Sequence, residues 1–78
     1  MTIRATIGVY PMRQEGDVAI TRASEALKGS GVEVEVRAMQ SELRGEPDAI
    51  WAALRRAFDA ADGCGPVVVT MAVSNACG

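Results

Sequence analysis

Three short runs carry most of the polar side chains of this chain that could meet a ligand: Val9-Tyr10-Pro11-Met12, Ser41-Glu42-Leu43-Arg44-Gly45 and Ser74-Asn75-Ala76-Cys77-Gly78. Together they offer a phenol, hydroxyls, a carboxylate and a guanidinium, groups that orient a small organic molecule through hydrogen bonds and charge. Each run lies at the end of a predicted strand. The pattern points to binding and not to catalysis, because the chain has no histidine and shows no paired-carboxylate or nucleophile motif. An enzyme built on Tyr10 or a carboxylate is the weaker reading.

Other chemistries are disfavoured by residue type. Cys64 and Cys77 make neither a CxxC pair nor a metal quartet, and the missing histidine removes the commonest zinc and copper ligand. The two cysteines flank a predicted strand from Val67 to Ser74. At about 3.3 Å per residue that strand holds them far beyond the roughly 7 Å Cα limit for a bridge, so both are expected as free thiols. No metal and no cofactor is expected.

Ten acidic against eight basic side chains give a formal charge of -2, a field that repels polyphosphate backbones. Nucleic acid is therefore not an expected partner. An RNA-recognition domain would also need aromatic residues on both central strands, and only Tyr10 is placed to serve. No apolar run approaches the roughly 20 residues that span a bilayer, and Met1-Thr2-Ile3-Arg4 leads into an alternating segment instead of a signal-peptide core. A cytoplasmic protein without membrane insertion is expected.

At 78 residues, 49% of them hydrophobic and 23% charged, the chain should fold as one domain spanning 1–78. A domain this small hides only a little over roughly 60% of its unfolded surface. A second copy would help it, and a homodimer or homotetramer is expected.

The elements that must position the polar runs follow from periodicity. Ile3, Ala5, Ile7 and Val9 alternate with Arg4, Thr6, Gly8 and Tyr10, which is a strand with one buried face. Pro11 cannot donate to a ladder, and the polar Arg13-Gln14-Glu15-Gly16 follows, so the strand stops near Met12. Asp17 is placed to cap a helix in which Ile20, Ala23, Ser24 and Leu27 form a stripe, ended by Lys28-Gly29. Val32-Glu33-Val34-Glu35-Val36-Arg37 alternates as a second strand. A tight reversal at Ala38-Met39 leads to a third, from Gln40 to Arg44, whose core-facing side the alternation leaves ambiguous.

Glu46-Pro47-Asp48 starts a second helix, with acidic residues near its positive end and Pro in its first turn. Its stripe is Ile50, Leu54, Ala57, Phe58 and Ala61, and Gly63-Cys64-Gly65-Pro66 closes it. Val67 to Ser74 is more continuously apolar than the other strands, which predicts a last strand shielded on both faces. The order βαββαβ most simply makes an α+β, ferredoxin-like sandwich: a four-stranded antiparallel sheet in the order 4-1-3-2 with two helices on one face.

The face without helices would then show Thr6, Gly8 and Tyr10 from the first strand and Glu33, Glu35 and Arg37 from the second. The fourth would add Val68, Thr70, Ala72 and Ser74. Small residues flanked by charge describe a shallow floor with a polar rim, suited to a flat ligand or a partner sheet. Glu33 and Glu35 can equally be a solvated edge that blocks unwanted strand pairing. Tyr10 can stack on a ligand or pack an interface, and Trp51 reads as partial core or interface.

The joint order of Tyr10-Pro11-Met12, a Gly31-led strand to Arg37, Ser41 with Arg44-Gly45, the helix from Trp51 to Ala61, and Ser74 with Cys77 resembles the YkoF-like thiamin- and hydroxymethylpyrimidine-binding family. The resemblance spans nearly the whole chain. It implies the ferredoxin-like fold, non-catalytic binding of thiamin or its pyrimidine precursor in grooves at the sheet and its interfaces, and a link to vitamin transport. A typical member carries two such domains in tandem where one is expected here, so a homo-oligomer would supply the second copy. The family's Cys-Pro-Gly ending is shortened to Cys77-Gly78.

A thiazolium cation favours an acidic pocket, and an aminopyrimidine offers donors and acceptors that hydroxyls and carboxylates can meet. The candidate ligand-binding residues are Thr6, Tyr10, Ser41, Glu42, Arg44 and Ser74. Tyr10 belongs near one end of the sheet and Arg44 and Ser74 near the other, so they form a pool from which one small ligand would touch some. The competing reading is an oligomeric structural or regulatory interaction module without a dedicated ligand.

Overall fold

A computed structural model describes residues 1–13, 16–37 and 40–76. The chain runs β1 (Ile3–Pro11), α1 (Val18–Lys28), β2 (Glu33–Val36), β3 (Ser41–Gly45), α2 (Pro47–Asp62) and β4 (Val67–Ser74). The strands form one sheet in the order β2-β3-β1-β4, and every neighbouring pair is antiparallel. This is the α+β, ferredoxin-like arrangement that the element order predicts. The Ala38-Met39 reversal, the Gln14-Glu15 part of the first loop and the Cys77-Gly78 ending lie outside the described residues.

Alternation in β1 builds the core. Ile3, Ala5 and Ile7 are buried, together with Leu43 of β3, against Ala19, Ala23 and Leu27 of α1 and Ile50, Ala53, Leu54, Ala57 and Ala61 of α2. Both helices therefore pack on one face of the sheet. Their buried stripes differ by a small rotation from those the sequence predicts. Ile20 is 42% exposed while Ala19 is buried, and Phe58 is 39% exposed while Ala53 is buried. Alanines at these contacts let helix and sheet approach closely, whereas a branched or aromatic side chain would hold them apart.

Asp17 precedes α1, but its side chain makes no capping hydrogen bond; its carbonyl accepts from the Thr21 amide at 2.9 Å and opens the first turn. The helix closes where the Gly29 amide donates to the Glu25 carbonyl and the Ser30 hydroxyl to that of Leu27. Gly31 enters β2 and Gly65 enters β4 at φ of 83° and 133°, values that only glycine adopts without strain. Pro11 ends β1, although the next amide, of Met12, still donates to the Pro66 carbonyl at 2.9 Å.

β4 lies at the sheet edge, where the predicted order 4-1-3-2 puts it, but the expected shielding of both its faces is overturned: of this strand only Val67 and Val69 pack against the core. Met71 and Val73 point to the helix side yet are 43% and 37% exposed, because α2 lies over β1 more than over β4. Continuous apolarity is the usual sign of two-sided burial; here it marks a strand that outruns its helical cover. No helix among the described residues is long and apolar enough to cross a membrane.

Candidate functional site

Register turns the open face into a grid. On β1, Arg4, Thr6, Gly8 and Tyr10 point away from the helices, since Ile3, Ala5 and Ile7 point toward them. Arg4 faces Arg44 on β3 and Ser74 on β4; Thr6 faces Glu42 and Ala72; Gly8 faces Thr70; Tyr10 faces Val68. Beyond β3, Glu33 of β2 faces Arg44 and Glu35 faces Glu42. One cross-strand row therefore reads Glu33, Arg44, Arg4, Ser74, and the next reads Glu35, Glu42, Thr6, Ala72.

A groove of about 560 Å³ lies over this part of the grid, lined by Arg4, Thr6, Glu33, Glu35, Glu42 and Arg44. Like charges directly opposite on antiparallel strands repel. The Glu35 and Glu42 pair is bridged by Arg37, whose Nη2 lies 3.2 Å from an oxygen of each carboxylate. The groove thus has a guanidinium end at Arg4 and Arg44 and a carboxylate end at Glu35 and Glu42.

The structure divides the candidate residues. Thr6, Glu42 and Arg44 meet in the open-face groove. Ser41 does not join them: it faces Ile7 and Val36, only 7% exposed, on the helix side. There it borders a second cleft of about 270 Å³ between α1 and the sheet, lined also by Ile20, Ser24, Leu27, Val36 and Gln40 and reaching the β1 end at Tyr10, whose ring lies on the other face. Ser74 borders neither cavity; its hydroxyl accepts from the Ala76 amide at 3.0 Å.

Tyr10 departs from the simple picture of a residue at the far end. Its ring folds back along β1, with its hydroxyl 2.8 Å and a ring carbon 3.0 Å from the point a Gly8 Cβ would occupy, beside Thr70 Oγ1. Its hydroxyl therefore reaches mid-strand, one residue pair short of Thr6.

Arg4 is the groove residue that sequence reasoning missed. Its side was legible, since it alternates with Ile3 and Ala5. Its partner was not, because the pairing with Arg44 depends on the register of β1 with β3.

No known protein-family model matches the chain, and no curated protein matches it in sequence. Solved structures do. A domain of unknown function, DUF77, from Bacillus cereus is similar with a TM-score of 0.83 at 26% identity, covering 94% of this chain and 74% of that one. A protein from Streptococcus pneumoniae is similar at 0.87 and 22% identity, covering 95% and 86%. A Thermotoga maritima protein, provisionally described as one of thiamine biosynthesis or salvage, is similar at 0.81 and 20% identity, covering 94% and 82%. What these likenesses share with this chain is the fold.

Proposed function

We propose that this protein is a non-catalytic binding protein for thiamin or its hydroxymethylpyrimidine precursor, with the open-face groove as its site. The observation that carries the reading is the convergence of Thr6, Glu42 and Arg44 from β1 and β3 on one groove of about 560 Å³. That volume lies within the roughly 300–1,000 Å³ of small-molecule pockets. A thiazolium ring is attracted to the carboxylate end, and an aminopyrimidine can exchange hydrogen bonds with the Thr6 hydroxyl and the Glu42 carboxylate. The thiamine-related description of the Thermotoga maritima neighbour supports the ligand class.

Calorimetric titration tests this. Thiamin or hydroxymethylpyrimidine should bind saturably and raise the melting temperature, since a ligand of the native state stabilises it. Glu42→Gln should weaken thiamin by about tenfold, the effect of one charge-assisted contact. No heat and no thermal shift at millimolar ligand would defeat the reading.

A second reading, an oligomeric interaction module, is favoured by β4. Among the described residues no strand pairs with its outer edge, and Val67–Ser74 contains no charge and no proline to blunt it. The opposite edge, β2, carries Glu33 and Glu35. The two readings combine if copies pair through β4 and each keeps its own groove.

A further inference from the structure

The two like-charged pairs on the open face are treated differently. Glu35 and Glu42 share the bridging guanidinium of Arg37. Arg4 and Arg44 face each other across β1 and β3, yet among the described residues neither makes an ion pair. Glu33, which faces Arg44 from β2, makes none either. The repulsion relieved at one pair by an ion of opposite sign is left standing at the other.

We propose that Arg4 and Arg44 form an oxyanion subsite that takes the phosphate of a phosphorylated ligand, whose cationic or aromatic body lies toward Glu42. Both arginines line the same groove as Thr6 and Glu42, so one molecule can span the two ends. Two guanidinium forks on adjacent strands match the oxygens of a phosphomonoester, which a single point charge would not orient. A phosphomonoester also brings close to two negative charges near neutral pH, enough to answer both arginines. Thr6, beside them on β1, adds a hydroxyl donor. The subsite rests on the reading of the groove as the ligand site and specifies the ligand further: positive or neutral at one end, a phosphate at the other.

Inorganic phosphate is the first probe, titrated at ionic strength held constant with sodium chloride and followed by the side-chain Nε–Hε NMR signals of the arginines. Saturable shifts are expected at Arg4 and Arg44, with Arg22 on α1 unmoved. Arg4→Gln and Arg44→Gln should each weaken phosphate by at least about tenfold, as loss of one charge-assisted contact does. Both side chains are exposed, and unchanged backbone spectra would establish that each variant is folded. Thiamin monophosphate should bind about tenfold tighter than thiamin by calorimetry, with that ratio falling near unity in either variant.

Non-saturating shifts at every surface arginine, showing an adventitious ion only, would overturn the subsite. So would variants that keep wild-type phosphate binding, or variants that lower the oligomeric state without changing the phosphate response. The latter would assign the arginines to a partner's carboxylates. The two proposals fail separately. Phosphate binding without thiamin binding supports the subsite and removes the thiamin reading; equal binding of thiamin and its monophosphate does the reverse.

Discussion

The hydroxyl of Tyr10 lies over Gly8, 2.8 Å from where a β-carbon at that position would sit. The ring can occupy this place because Gly8 has no side chain on the open face, and it buries the glycine beneath it. Gly8→Ala should push the ring outward, since the new methyl also meets Thr70 Oγ1 at 3.0 Å. The ring tip is free to swing, so the cost should be toward the low end of overpacking, about 1 kcal/mol. Loss of nuclear Overhauser contacts between Tyr10 and Thr70 checks the displacement, and urea unfolding checks the cost. Adding Tyr10→Ala should recover part of the lost stability.

Leu54→Ala should destabilise by about 2–5 kcal/mol, because Leu54 is fully buried and its removal leaves a cavity between helix and sheet. Trp51→Ala on the same helix should cost less than about 0.5 kcal/mol, since the indole is 55% exposed. Parallel urea denaturation curves separate the two.

Arg37→Ala removes the bridge between Glu35 and Glu42. All three side chains are about half exposed or more, so the stability loss should be only about 0.2–1 kcal/mol. Salt screens the released repulsion, and the difference from the unaltered protein should vanish at about 1 M ionic strength, where the Debye length is roughly 3 Å.

Met71→Lys places a charge on the uncovered β4 edge without touching the core. If copies pair through this edge, sedimentation velocity should show the oligomer dissociating, while titration of the groove with ligand stays as before. An unchanged sedimentation coefficient would place any interface elsewhere.

Much of the fold is legible in the sequence. Ile3, Ala5 and Ile7 announce the buried face of β1, and Val34 with Glu33 and Glu35 announces a half-buried edge. Helix rotation was less legible. Ile20 and Phe58 satisfy a 3.6-residue pattern as well as Ala19 and Ala53 do, and packing distance alone selects the smaller residues. Hydrophobicity likewise overstated the burial of β4, whose place beside β1 was legible but whose apolar run ends beyond the reach of α2.

The candidate site was legible as residue types and not as a place. Ser41 and Glu42 are adjacent in the chain, and a strand sends adjacent side chains to opposite faces. Which of them joins Thr6 depends on how β3 aligns with β1.

Element types, their order and the sides of β1 are written in the chain itself, because local alternation and turn residues encode each of these within a few neighbours. That Arg4 meets Arg44, that Arg37 spans two glutamates and that Ser41 turns inward emerges only in the folded molecule. Those facts depend on register, and a slip of one residue would send every side chain of a strand to its other face. Register is set by the joint packing of helices and sheet around Leu43, Ile50 and Leu54, a many-body outcome that no single segment carries.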